Sequence, residues 1–157
     1  MAERENSLHG KVAIVTGASS GLGWATVQTL TTAGVQVIAT ARRPERLAAL
    51  QTETGCDVLP GDSSDPALCD AVYNHAIAKH GRVDILVNNA GLGNYKQLVD
   101  TTVDEYDELM RINMRSSFLF SRAVVPGMIA QCSGTVVFVS SVAGVAGAAN
   151  EIGRAHV

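Results

Sequence analysis

Residues 11–23, KVAIVTGASSGLG, decide the expected fold. The first six form a short, apolar and β-branched run, which predicts a strand, and a helical pattern follows over 21–33. Gly17 permits a tight exit from the strand, Gly21 lets backbone approach a pyrophosphate, and Gly23 lets the helix pack close to the sheet. A glycine turn in this position predicts phosphate binding at the helix amino terminus, although other glycine turns only reverse the chain.

The same alternation of strand and helix continues along the chain. Short apolar runs predict further strands at 35–40, 56–59, 83–87 and 135–140, and helical patterns predict helices at 44–54, 66–80 and 103–130. Strands that are apolar on both faces need helices on both sides, so we expect an α/β fold with a doubly wound parallel sheet. The expected buried positions of the first helix are Leu22, Ala25, Val27 and Leu30.

Composition argues against several function classes. The 157 residues suffice for one domain, and a net charge of −3 with scattered basic residues predicts binding to neither nucleic acid nor membranes. Cys56, Cys69 and Cys132 are odd in number and far apart, so they predict neither a disulfide framework nor a metal site. The polar start and the lack of a long apolar run predict a cytoplasmic protein.

The end of the second predicted strand reads Thr40-Ala41-Arg42-Arg43. An NAD site usually carries a carboxylate here for the ribose 2′-hydroxyl, whereas two guanidinium groups favour the 2′-phosphate of NADP. We therefore expect NADP as cofactor, with NAD as the weaker alternative. Arg42 is the better candidate for the phosphate contact, while Arg43 could equally be a solvated residue leading into the next helix.

Five motifs in order resemble the short-chain dehydrogenase/reductase family, in particular its members similar to NADP-dependent 3-oxoacyl-carrier-protein reductases. They are TGASSGLG at 16–23, Asp62-Ser63, Asn88-Asn89-Ala90-Gly91, Asn113 in the long helix, and Ser140-Ser141 before Val142-Ala143-Gly144. The resemblance covers about 8–147 and implies the amino-terminal part of a Rossmann fold, incomplete at its carboxyl-terminal side. It also implies hydride transfer between a nicotinamide cofactor and a small carbonyl or alcohol substrate, in a homodimeric or homotetrameric parent protein.

The resemblance implies a role for each motif. Asp62 would meet the adenine, Asn113 would hold a water for proton relay, and Ser141 would hydrogen-bond the substrate carbonyl. Asp62 could instead be only a turn or cap residue, Asn113 could simply bond to backbone, and Ser140 is the competing serine. The cofactor would also contact Gly17, Ser19, Ser20, Gly21, Leu22, Gly23, Ser63, Asn89, Ala90 and Gly91.

The resembled family completes its mechanism with a Tyr followed four residues later by a Lys, and family spacing would place that Tyr near Arg154. The sequence has no Tyr after Tyr106 and no Lys after Lys96, and Tyr95 and His156 are weak substitutes. Residues 151–157 depart from the family, and one back-translation, GAG ATC GGA AGA GCA CAC GTC, matches a sequencing adapter. We therefore predict a truncated NAD(P)-binding domain at 1–150 and a non-native tail at 151–157. The alternatives are an authentic short tail and a non-catalytic NADP(H)-binding sensor.

Overall fold

Strands and helices alternate along residues 8–142, the part of the chain that the computed structural model describes. Each strand begins in or next to an apolar run, and turns or loops separate the strands from the helices, as the periodicity predicts. Two short segments, a 3₁₀ turn and a π-helical segment, accompany the fourth and fifth helices. The elements are β1 Val12–Thr16, α1 Gly21–Thr32, β2 Gln36–Ala41, α2 Pro44–Thr54, β3 Asp57–Pro60, α3 Pro66–His80, β4 Ile85–Asn88, the 3₁₀ turn Leu98–Asp100, α4 Val103–Met110, the π-helical segment Arg111–Arg115, α5 Ser116–Ala130 and β5 Thr135–Phe138.

The five strands form one parallel sheet in the order β3-β2-β1-β4-β5. The chain runs outward from β1 through β2 to β3 and then crosses to β4 on the other side of β1. This reversal confirms the predicted doubly wound sheet. The carboxyl ends of β1 and β4 therefore flank a topological switch point, where ligands bind in open sheets of this kind.

Both faces of the sheet are buried. Alternate residues of β1 point to opposite faces, so Val12 and Ile14 belong to one core cluster while Ala13 and Val15 belong to the other. The first cluster includes Phe120 of α5, and the second includes residues of α1 and α2. Helices cover both faces of the central strands, as the uninterrupted apolar strands require.

The expected buried face of α1 is wrong at two positions. Leu22 is 70% exposed and Ala25 is exposed, whereas Gly23 and Val27 are buried and Leu30 is partly buried against the core. Gly23 packs directly against the Gly17 carbonyl, and this contact sets the rotation of the helix. Leu22, one residue earlier, is thereby turned toward the cavity described below.

Strand bounds also differ from prediction by a few residues. β2, β3 and β4 start one or two residues later than the apolar runs because interstrand pairing, rather than hydrophobicity, sets where a strand begins. Val35 and Val83 accordingly lie outside their strands yet remain buried. β5 ends at Phe138, two residues before the predicted end.

The predicted helix at 103–130 is helical throughout but is not one regular α-helix. Its middle is the π-helical segment Arg111–Arg115, which contains the buried Asn113. Short π-helical segments inside α-helices are frequently found at functional sites.

β5 lies at the edge of the sheet as described. Val137 and Phe138 are 41% and 47% exposed, and Phe118 of α5 is 61% exposed.

Within 8–142, no helix combines the length and apolar character that crossing a bilayer requires. The predicted domain boundary at 150, the tail at 151–157 and His156 lie outside the described residues.

Candidate active site

A cavity of about 1010 Å³ lies at the carboxyl ends of the strands. It collects residues from every motif that the sequence singled out. Three predicted site residues, Gly21, Gly23 and Asp62, are not part of its lining. The predicted residues that do line it are Gly17, Ser19, Ser20, Leu22, Arg42, Arg43, Ser63, Asn89, Ala90, Gly91, Asn113 and Ser141, together with Ser140.

The glycine turn is shaped by close backbone approaches. Gly17 has φ +65°, and a Cβ on it would lie 2.8 Å from the Ala90 Cα atom. A Cβ on Gly23 would overlap the Gly17 carbonyl oxygen, while Gly21 has φ +55° and open space where its side chain would be. The turn therefore excludes side chains at Gly17 and Gly23, where it packs against the protein, and leaves open space at Gly21.

Thr16 fastens this turn to the loop after β4. Its buried Oγ1 accepts hydrogen bonds from the backbone N–H groups of Asn89 at 3.0 Å and Ala90 at 2.9 Å. In the other direction, Asn89 Nδ2 donates to the carbonyls of Thr16 at 2.9 Å and Gly17 at 3.2 Å. Thr16 was not among the predicted site residues, although its place at the end of β1 was a usable signal.

The two arginines after β2 are placed differently. The Arg43 guanidinium donates to Ser19 Oγ at 3.1 and 2.9 Å and to Ser20 Oγ at 2.7 Å, so it is tied to the glycine turn. Arg42 is exposed at the cavity rim. One arginine is therefore preorganised by the turn, while the other remains accessible to a ligand in the cavity.

Asp62 points at protein groups. Its carboxylate accepts from the backbone N–H of Ser64 at 2.9 Å and from Arg111 Nη1 at 2.6 Å. Burial acts to raise the Asp62 pKa, but the Ser64 N–H and the Arg111 guanidinium outweigh it and lower that pKa to about 2. Arg111 also binds Glu108 at 2.6 and 2.8 Å. Asp62 thus acts as a turn residue that holds the loop after β3 to the end of α4 through Arg111. The neighbouring Ser63 lines the cavity.

Asn113 bonds to backbone on the opposite side of the cavity. Its Oδ1 accepts from the Leu92 N–H at 2.8 Å, and its Nδ2 donates to the Leu92 carbonyl at 2.9 Å. This two-way bond fixes the loop that follows Gly91. Asn113 therefore positions that loop directly.

The two serines after β5 both line the cavity. Ser140 is exposed and Ser141 is partly buried. Tyr95 lies in the loop after β4, is 66% exposed and is not part of the cavity lining. The residues Ala143 and Gly144, which distinguish Ser141 by motif, fall outside the described residues.

None of the three cysteines is part of the cavity lining. Cys56 and Cys69 are buried free thiols, and burial raises both pKa values, that of Cys69 to about 12. Cys132 is exposed and also free. Within residues 8–142, no group of three or more His, Cys, Asp or Glu side chains is arranged to hold a metal ion.

Comparison with known proteins finds close relatives of this arrangement. A family model described as short chain dehydrogenase matches residues 11–153. The chain is 35% identical over 147 residues to the 3-oxoacyl-(acyl-carrier-protein) reductase FabG of Salmonella typhimurium, covering 92% of the chain and 60% of that protein. The FabG of Thermotoga maritima is 37% identical over 148 residues, which is 89% of the chain and 59% of that protein.

A solved structure is similar as well. The crystal structure of a metagenomic short-chain oxidoreductase in complex with NADP superposes with a TM-score of 0.84 and 38% identity, covering 95% of this chain and 69% of that one. The chain spans about 60% of the length of the curated relatives that it matches.

Proposed function

Because the chain belongs to the short-chain dehydrogenase/reductase family, we propose that its cavity binds NADP(H) and that the protein acts as an oxidoreductase on small carbonyl or alcohol substrates. The observation that carries this proposal is the cavity of about 1010 Å³ above the switch point of the sheet. Its volume is at the upper end of ordinary ligand sites, roughly 300–1,000 Å³, as an extended dinucleotide requires.

The glycine turn fits a pyrophosphate. Ser20 precedes α1, and its side chain caps no backbone N–H of that helix, so first-turn donors remain for a ligand. Gly21 leaves open space beside these donors. A phosphate group at this terminus would therefore meet backbone N–H groups and the positive end of the helix dipole.

The adenosine end favours a 2′-phosphate. Arg42 is exposed at the rim, and Arg43 is held there by the Ser19 and Ser20 hydroxyls. Two guanidinium groups supply charge-assisted donors that match phosphate geometry. The similar metagenomic oxidoreductase in complex with NADP supports the same choice. We propose that Asp62 and Ser63 border the adenine.

The other end of the cavity is suited to carbonyl chemistry. When bound there, the nicotinamide supplies or accepts the hydride. We propose that the Ser141 hydroxyl donates a hydrogen bond to the substrate oxygen, where negative charge develops during reduction. Ala90 and Gly91 border the ribose, and Asn113 keeps their loop in place through Leu92.

The sequence contains no Tyr after Tyr106 to act as general acid. We propose that the chain as given is a poor catalyst, because a positioned acid contributes a factor of roughly 10²–10⁴. We also propose that residues 1–150 are one part of a longer dinucleotide-binding domain and that the parent protein is a homodimer or homotetramer. A sensor that binds NADP(H) without catalysis remains the second candidate, favoured by the same missing Tyr.

The test is to sequence the gene across the Glu151 codon and to graft a family-type carboxyl-terminal half onto residues 1–150. Continuation into a Tyr-x-x-x-Lys segment, and NADPH oxidation by the graft with simple ketones, support the oxidoreductase. Ser141→Ala should then lower kcat by roughly 10²–10³-fold, with Ser140→Ala as the matched control. A stop after Val157 together with an inactive graft that still binds NADPH supports the sensor.

A further inference from the structure

Trp24 and Arg46 form a pair beside the glycine turn. Trp24 lies in the first turn of α1 and Arg46 in the first turn of α2, and the Arg46 guanidinium carbon is 5.2 Å from the centre of the Trp24 ring. At this distance the cation is attracted to the ring face. Neither residue lines the cavity, so direct ligand contact does not explain the pair.

Arg46 also bonds to the turn. Its Nε donates to the carbonyl oxygen of Ser19 at 3.3 Å, while the Ser19 hydroxyl accepts from Arg43. Ser19 is only 6% exposed. Arg46 therefore holds the carbonyl of the buried Ser19, and Arg43 is bonded to its hydroxyl. The orientation of Ser19 determines where the Arg43 guanidinium lies.

We propose that Arg46, stacked on Trp24, is a positioning residue that gives the site its preference for a 2′-phosphorylated dinucleotide. By fixing the Ser19 carbonyl it keeps the Ser19 hydroxyl, and with it Arg43, ready for the 2′-phosphate. Its charge adds to the positive potential at the same end of the cavity. This inference rests on the proposed function and adds a determinant of cofactor choice to it.

A nucleotide without the 2′-phosphate does not use this arrangement. NADH would still rely on the backbone N–H groups at the amino terminus of α1, whereas the contact of Arg46 with the glycine turn is to the Ser19 carbonyl. Loss of Arg46 should therefore change the ratio of the two affinities, whereas general damage to the turn would weaken both nucleotides together.

The experiment uses the unmodified chain and Arg46→Met, which keeps an apolar stem over Trp24 but removes the charge and the donor. Trp24 is the sole tryptophan of the sequence, so its fluorescence reports directly on this region during titration with NADPH and NADH. Arg122→Met, an exposed position on α5, is the control with the same change in net charge. Circular dichroism verifies that each variant is folded.

We expect Arg46→Met to weaken NADPH about threefold to tenfold while changing NADH less than about twofold. Arg122→Met should leave both affinities unchanged, and Arg46→Lys should restore part of the NADPH affinity because the charge returns without the planar stack. An unchanged NADPH-to-NADH ratio in Arg46→Met overturns this inference alone. If the folded wild-type chain binds neither nucleotide, the proposed function fails and this inference fails with it.

Discussion

Replacing Thr16 by Val should remove two of the hydrogen bonds that hold the loop after β4 to the glycine turn. Valine has nearly the shape of threonine, so the packing of the end of β1 stays the same while the hydroxyl is lost. Thr16 is 2% exposed, and its Oγ1 is the acceptor for the N–H groups of Asn89 and Ala90. Both donors would then lie in a partly buried loop without an acceptor.

The size of the effect follows from these two donors. A buried donor left without a partner costs roughly 1–3 kcal/mol, so Thr16→Val should destabilise the fold by about 2–6 kcal/mol. A domain of this size is stable by only about 5–15 kcal/mol. Since 1 kcal/mol shifts the melting temperature of such a domain by about 2–4 °C, the expected loss is about 4–24 °C.

Thermal and urea unfolding followed by circular dichroism measure this loss. Thr16→Ser is the matched control, because it keeps the acceptor oxygen and removes only a methyl group. The serine variant should stay within about 1.5 kcal/mol of wild type. A stabilising role of the Thr16 hydroxyl is excluded if Thr16→Val unfolds within about 0.5 kcal/mol of wild type, or if the serine variant is the less stable of the two.

Three further changes have defined outcomes. Gly23→Ala should destabilise by roughly 1–3 kcal/mol despite the better helix propensity of alanine, because its Cβ would overlap the Gly17 carbonyl; a gain in melting temperature would contradict this contact. Asp84 is 4% exposed, and burial acts to raise its pKa. Hydrogen bonds from the Val12 N–H and from Arg82 outweigh burial and hold that pKa below its usual value. Stability from Asp84 should therefore be present above about pH 4 and be lost as pH falls further, and Asp84→Asn should be less stable at pH 7 and less sensitive to acid in pH-dependent urea unfolding; parallel pH curves would exclude it. Arg42→Asp should weaken NADPH by roughly 1.5–3 kcal/mol and NADH much less, as nucleotide titration would show; an equal loss for both would remove Arg42 from the 2′-phosphate site.

The order and type of the elements could be predicted because they depend on local pattern. Apolar runs bounded by turn residues gave five strands in the right places, and Pro44 and Pro66 fixed the starts of two helices to the residue. The parallel, doubly wound sheet followed from strands that are apolar on both faces. These features need no knowledge of which distant residues meet.

The missed features depend on contacts between residues far apart in sequence. The rotation of α1, which exposes Leu22, is set by how Gly23 meets Gly17 across the turn. The role of Thr16 depends on two N–H groups more than seventy positions later. Arg46 meets Trp24 only because α1 and α2 lie side by side. Periodicity and composition carry no information about contacts between residues that are far apart in sequence.

The most direct test of the central claim is calorimetric titration of the unmodified 157-residue chain with NADPH and with NADH. Binding alone is measured, so the result does not depend on a general acid or on the identity of the substrate. We expect one NADPH bound per folded chain, with NADH binding more weakly. Tighter binding of NADH would contradict the assignment of NADP, and a folded chain that binds neither nucleotide would contradict the dinucleotide site itself.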